Sequence, residues 1–374
     1  MGIYNNCYYL LGKIFKKLNI SSAKIPKFLF LNNLGKNHTV EENLKYLNTI
    51  SPNNGKSAIK TLSGLKEKKY DIQIIVPAYN VEEFIETCID SILSQKTNCN
   101  YIVTIINDGS TDSTGLLLEK YNNCSNVEII TQDNKGFSGA RNAGLSDIKA
   151  YYIMFVDSDD KLTDSSLQIL FEKIKSRDPE SIDQQYDIIQ GGYNIINEED
   201  IFVKYVSPIK NKQFGFPWGK IYKAEIFEKI QFPENFWFED TINNLLIDSL
   251  IRGVKTVDYP VYDYRINTKG ITYTSRGDSK VLDTLYITLS LLEDRKKLGI
   301  DPSQEFYETL LYQFRMNGRR LLSLKNKEIN RRAFEIQRNV RTQFSHFKTQ
   351  VEELKLLEWA LNNNNLNAYY YALS

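Results

Sequence analysis

Apolar positions in this chain keep two rhythms, and the change between them sets out its organisation. From Asp71 onward, short apolar runs alternate with stretches where apolar residues return every three or four positions. Ile72 to Ala78 is an apolar run with Pro77 near its end, the pattern of a buried strand. Val81 to Gln95 sets Phe84, Ile85, Cys88, Ile89 and Ile92 on one helical face. The same reading predicts strands at 101–106, 127–131 and 151–156, with helices at 112–121, 137–146 and 165–175. Strand and helix thus alternate four times across short connections, which predicts a mostly parallel α/β sheet. A further strand is expected at 187–193. Residues 194–240 mix aromatics, Gly and Pro and predict loops, followed by a helix at 241–250. From Asp278 to Ser374 the spacing is helical, broken at Gly299-Ile300-Asp301-Pro302.

Residues 1–70 follow neither rhythm for long. They hold twelve Lys against three Glu, with no Asp or Arg. Ile3, Cys7, Leu10, Leu11, Ile14 and Leu18 share one helical face, with Lys13, Lys16 and Lys17 off its centre. Two readings stand: a helix packed on the main domain, or a basic amphipathic segment resting on anionic lipid. The apolar stretch Tyr8–Phe15 is too short and too charged for a signal core or a membrane span. Residues 51–69 read as a linker or exposed arm. The expected domains are therefore a basic extension at 1–70, an α/β domain at 71–275 that divides at 193/194, and a helical region at 276–374.

Composition narrows the chemistry. The formal net charge of +1 gives no polyanion-binding signal, so no nucleic-acid partner is expected. Cys7, Cys88, Cys99 and Cys124 lack metal-site spacing, and His38 and His346 are the only histidines, which disfavours zinc and Ser-His-Asp chemistry. Scattered cysteines without a secretory signal fit the cytoplasm. In parallel sheets ligands lie beyond the carboxyl ends of the strands. Here those ends carry Pro77-Ala78-Tyr79-Asn80, then Asn107-Asp108-Gly109-Ser110-Thr111-Asp112, then Asp157-Ser158-Asp159-Asp160. Asp-Gly-Ser-Thr-Asp alone reads as a turn with a helix cap. Three carboxylates in four positions repel one another, and a hard divalent cation such as Mg²⁺ or Mn²⁺ offsets that repulsion.

Four stretches in this order, IIVPAYN (74–80), INDGSTD (106–112), NKGFSGARNAGL (134–145) and YIMFVDSDD (152–160), resemble the donor-binding half of family 2 glycosyltransferases. WGKIYKAEIF (218–227), FWFEDTINNLL (236–246) and YRIN (264–267) extend the resemblance more loosely, and residues 1–70 and 280–374 lie outside it. It implies the GT-A fold, a Rossmann-like, mostly parallel sheet flanked by helices that binds nucleotide-diphospho-sugars. It implies inverting transfer from a nucleotide sugar, with a UDP-sugar expected, onto a glycan, lipid-linked or protein-linked glycan acceptor.

The resemblance also assigns roles. Pro77, Ala78, Tyr79 and Asn80 line the nucleotide pocket, and Asp108 faces base or ribose. Asn107 stands where many relatives carry a first acid, which leaves base selectivity open. Gly136, Gly139 and Arg141 lie near the donor; the plain alternative for Arg141 ties a helix to the sheet. Asp159 is the expected metal ligand, with Asp157 facing ribose or metal-bound water beside Ser158. Asp240 is the expected general base and Glu239 its support, unless both merely open the following helix. Trp218, Lys220, Trp237 and Arg265 are candidates for acceptor or diphosphate contacts. Peripheral contact with anionic membrane at the inner face of the cell membrane is expected if the acceptor is lipid-linked, and the helical region offers a surface for a partner copy. Two rivals remain. A nucleotidyltransferase calls for a Gly-rich, basic phosphate loop that VPAYN lacks, and a non-catalytic nucleotide-binding scaffold has no need of Asp159 and Asp240.

Overall fold

The computed structural model describes residues 9–10, 13, 37–60, 67–175, 186–268, 270 and 275–374. The expected helix over residues 3–18 lies almost wholly outside them. The chain forms two compact units, one of Lys56–Asn235 with Glu239–Gly270, the other of Met1–Gly55, Phe236–Phe238 and Ile271–Ser374.

The first unit is built on a sheet of nine described strands: β1 (Tyr70–Ala78), β2 (Tyr101–Asn107), β3 (Val127–Thr131), β4 (Ala150–Phe155), β5 (Lys161–Leu162), β6 (Ile188–Ile196), β7 (Phe202–Val206), β8 (Lys220–Lys223) and β9 (Val254–Arg265). Their order is β3-β2-β1-β4-β8-β6-β9-β5, with β7 on the outside of β6. β3, β2, β1 and β4 run parallel, and β8 is antiparallel to β4. Ala78 of β1 faces Asn107 of β2 in register, and Ile75 faces Phe155 of β4. The three motif-bearing strand ends therefore emerge along one edge of the sheet. Ile74, Val76, Val103, Ile105 and Met154 form the core with Ile85, Cys88, Ile89 and Ile92 of the helix Ile85–Leu93. Gln73 is buried on the opposite face of β1 with its amide satisfied, donating to Thr104 Oγ1 at 3.0 Å and the Asp147 carbonyl at 3.2 Å.

Several expectations change. The helix expected from Val81 starts at Ile85, and the one expected from Asp112 starts at Thr114, because both leading segments are spent on loop bonds: Val81 N donates to Thr114 Oγ1 and Glu82 N to Asp112 Oδ2. The helix expected over 241–250 ends at Leu245 and gives way to a 3₁₀ turn at Ile247–Ser249. Residues 194–240 hold the end of β6, all of β7 and β8, and not loops alone. β7 is exposed along most of its length and β8 spans four residues, so neither shows the alternation of a half-buried strand. Residues 56–60 are no free arm either: Ile59 bridges Ile230, and Ala58 is buried.

The second unit is helical. Thr39 and Glu42 form a capping box at the head of the helix Val40–Asn48. This helix docks on Lys327–Thr342, where buried Glu335 accepts from Asn43 Nδ2 at 3.1 Å and the Arg332 guanidinium lies over the Tyr46 ring. The expected break falls between Asp283–Lys297 and Gln304–Leu321, with Gly299 in the left-handed region and Ser303 capping the second helix. Arg315 donates to the Ser374 carbonyl and Arg319 to that of Leu373, so both arginines help hold the end of the last helix, Leu366–Ala372. Among the described residues no helix is long and apolar enough to cross a membrane.

Ile74 has no exposed surface at the centre of the sheet. Ile74→Ala is expected to lower unfolding stability by about 2–5 kcal/mol, read from the urea denaturation midpoint at an unchanged slope.

Candidate active site

The first two strand ends are laced into one surface. Asn80, held in the left-handed region, accepts from Thr111 N through its Oδ1 at 2.8 Å and donates its own N–H to Ser110 Oγ at 3.2 Å. Asp108 is buried; its Oδ1 accepts from Gln132 Nε2 at 2.6 Å and Lys135 N at 2.9 Å. Asn107 turns its Oδ1 onto Ser110 N at 3.1 Å. Gly109 has φ +73°, and a Cβ there would stand 2.9 Å from Asn134 N, so this turn admits only glycine without strain. Pro77 and Ala78 end β1, and the Tyr79 ring is about half exposed beside the turn. Gly139 answers to local packing: a Cβ there would meet Lys135 Cβ at 2.3 Å.

Arg141 lies inside the site. It sits on the helix Gly136–Leu145, almost wholly buried, and its guanidinium joins two motifs far apart in sequence. Nη1 donates to Glu239 Oε1 at 2.5 Å and Nη2 to Asp157 Oδ1 at 2.7 Å. Burial opposes the charge on Arg141, but the Asp157 and Glu239 carboxylates outweigh it and raise the pKa above the ordinary value. Burial pushes the Glu239 carboxyl up to about 7, against the pull of Arg141 and with help from neighbouring Asp240. Arg141 thus ties its helix to the end of β4, as one of its two readings expected, and also reaches Glu239, forming a bridge between two carboxylates.

Asp157 keeps a partly exposed carboxylate and donates its backbone N–H to Tyr262 Oη at 3.0 Å, with Ser158 buried beside it. Asp159 Oδ2 accepts from Asn267 Nδ2 at 2.9 Å; burial and then the Asp157 charge raise its pKa. Asp160 is buried, accepts from Arg265 N at 2.7 Å, and is raised well above the usual carboxylate range by burial and by both neighbouring carboxylates. Crowding of this kind favours a bound cation. Among the described residues, however, no group of three or more His, Cys, Asp or Glu side chains is placed to hold a metal unaided.

Asp240 opens the helix Thr241–Leu245, yet its side chain makes no capping hydrogen bond. Its carbonyl accepts from Asn243 N at 2.9 Å and from Asn243 Nδ2 at 3.1 Å. The helix-opening role therefore falls to the Asp240 backbone. Glu239 is turned inward to Arg141.

The four residues proposed for acceptor contacts are placed differently. Trp218 is buried in an aromatic stack, its ring 3.7 Å from Phe216 and 4.5 Å from Tyr262 between centroids. Lys220 has no exposed surface; Nζ donates to the Phe214 carbonyl at 2.5 Å, and burial drives its pKa well down. Arg265 is buried, donating through Nε to the Asp159 carbonyl at 2.8 Å and pairing with Asp200 at 2.7 Å. Trp237 belongs to the helical unit, where its N–H donates to Asp283 Oδ2. The structure thus brings Arg265 to the acidic cluster from beneath, and keeps Trp218 and Lys220 in the interior. Asn267, Tyr262 and Asn243 were missed from sequence. YRIN and FWFEDTINNLL placed Asn267 and Asn243 in matching stretches, while nothing local singled out Tyr262.

Residues 73–233 match the family model described as glycosyl transferase family 2. The chain is 30% identical to glycosyltransferase GlyA of Streptococcus pneumoniae over 247 residues, covering 59% of this chain and 34% of GlyA. It is 31% identical to the uncharacterized glycosyltransferase EpsJ of Bacillus subtilis over 223 residues, covering 54% of this chain and 62% of EpsJ. It therefore spans about a third of the one relative and under two thirds of the other. The crystal structure of S. aureus TarS 1-349 in complex with UDP-GlcNAc superposes with a TM-score of 0.62 at 20% identity, over 81% of this chain and 90% of that one. That likeness shows the shared fold, GT-A. The family model lies over the laced strand ends, Arg141 and the Asp157–Asp160 cluster, so the region that carries most of this site is the one similar to family 2 glycosyltransferases.

Proposed function

We propose that this chain transfers a sugar, with inversion, from a UDP-sugar to the hydroxyl of a glycan or lipid-linked acceptor, using Asp240 as general base. The observation that carries the reading is the placement of the acidic pair: Glu239 is buried on Arg141, and Asp240 beside it is only partly buried at the head of the Thr241–Leu245 helix. An inverting displacement needs one carboxylate to take the acceptor proton as oxygen attacks the anomeric carbon. Asp240 fills that role, and Glu239 with Arg141 holds it against the donor side.

The nucleotide lies at the laced strand ends, with the exposed face of Tyr79 offered to the base and Asp108 to base or ribose. Mn²⁺ or Mg²⁺ fits the hard oxygens of the acidic cluster and is held by Asp159, because Asp157 Oδ1 is taken by Arg141. The bound ion supplies neutralisation of the diphosphate charge as UDP leaves. With Asp159 as its main protein ligand, such an ion would bind best together with the nucleotide. The UDP and UDP-GlcNAc found with TarS support a uridine nucleotide.

Asp240→Asn is expected to lower turnover by at least about a hundredfold while UDP still raises the melting temperature; wild-type turnover in this variant sinks the base assignment. Thermal denaturation with UDP, GDP, CDP or TDP, each with and without Mn²⁺, is expected to show a shift for UDP that grows with Mn²⁺. An equal shift for all four nucleotides removes the uridine assignment. Below pH about 7 Glu239 takes up a proton and its ion pair with Arg141 is lost, so the rate falls as pH drops through that value. Glu239→Gln is neutral at every pH, so its pH–rate profile should be lower and lack that limb.

A further inference from the structure

The proposed base is anchored from a second side, by residues to which the resemblance assigned no role. Asn243 has no exposed surface and lies one helical turn after Asp240. Its amide is fully committed: Nδ2 donates to the Asp240 carbonyl at 3.1 Å, and Oδ1 accepts from the hydroxyl of Tyr222 at 2.7 Å. The Asn243 backbone N–H reaches the same Asp240 carbonyl at 2.9 Å, and the Asn243 carbonyl accepts from Gln213 Nε2 at 2.9 Å. Tyr222 is fully buried on β8 and packs edge-on against Phe155, the last residue of β4, with ring centroids 5.9 Å apart. Two residues beyond Phe155 the chain reaches Asp157.

A five-residue helix has little stability of its own. Asp240 heads it, and the bonds from Asn243 to its carbonyl fix the point from which its side chain leaves the main chain. The Asn243 amide donates to the Asp240 carbonyl with one end and accepts from the phenol with the other. We propose that Asn243, oriented by Tyr222, is a positioning residue that aims the Asp240 carboxylate at the acceptor hydroxyl. This rests on Asp240 being the base. The strand that delivers Asp157 and the helix that delivers Asp240 are then referenced to one buried phenol, which sets donor and base by a common fixed point. Misplacing a reacting group by about 1 Å costs on the order of a hundredfold in rate, so a fixed point of this kind carries weight in turnover and little in donor affinity.

The test uses the full chain and the UDP-sugar, among UDP-glucose, UDP-galactose and their N-acetyl forms, that the wild type turns over fastest, with UDP release as the readout. Tyr222→Phe keeps the ring and removes only the hydroxyl. It is expected to lower kcat about tenfold, leave KM for the donor within about twofold, and leave the UDP-induced melting shift unchanged. Asn243→Asp keeps an acceptor for Tyr222 but cannot donate to the Asp240 carbonyl, and should fall at least as far. Adding Tyr222→Phe to Asp240→Asn should cost nothing more, since the group being aimed is gone. Unchanged kcat in Tyr222→Phe, kcat and KM changing together, or a full further tenfold loss in the double variant overturns the positioning role while leaving Asp240 as base. No turnover by the wild type, or wild-type turnover by Asp240→Asn, strikes the functional reading and takes this inference with it.

Discussion

One buried cation holds the candidate site together. The Arg141 guanidinium is withdrawn from water and bonded at both ends, to Asp157 at the end of β4 and to Glu239 before the Thr241–Leu245 helix. A charge in that position is tolerable only because two carboxylates meet it with good geometry, and removing one partner of such an arrangement typically costs about 3–5 kcal/mol. The constraint runs both ways. Asp157 and Glu239 are 82 positions apart, and the sheet, the Gly136–Leu145 helix and the loop leading to Asp240 must all be in place before the bridge closes. Its formation reports that the donor half and the acidic pair have come together.

The same bridge sorts the acidic residues by function. Glu239 is tied inward, Asp157 is half tied and half exposed, and Asp159 is held by Asn267 and by the Arg265 contact to its carbonyl. Asp160 spends its carboxylate on the backbone N–H of Arg265. Four acids that look alike in sequence therefore differ in what they can still bind. Asp240 differs again, since the backbone rather than the side chain opens its helix. The proposed division of labour, Asp159 toward the metal and Asp240 toward the acceptor, is in keeping with these different placements.

Two interior features show where charge and aromatic content mislead. Lys220 and Trp218 stand in a stretch rich in aromatics, which suggests a carbohydrate platform. In the structure Trp218 is one layer of a stack with Phe216, Tyr262 and Tyr264, and Lys220 is closed in with its ammonium on a carbonyl. The stack supports Tyr262, whose hydroxyl accepts from the Asp157 backbone, so these residues serve the site from below.

By itself the sequence determined the α/β class, the strand and helix succession from β1 to the Ser166–Lys175 helix, and the set of strand ends carrying chemistry. The reason is that buried parallel strands and amphipathic helices leave local signals, and loop motifs between them keep their order and spacing. Tertiary structure alone decided which acids are engaged, where Arg141 points, and what holds Asp240. Those outcomes depend on residues from β4, β8 and the Thr241–Leu245 helix converging in space, and no spacing within a single element encodes them. It also decided the last strands of the sheet, because an exposed β7 and a four-residue β8 are set by their neighbours' hydrogen bonds and not by their own apolar pattern.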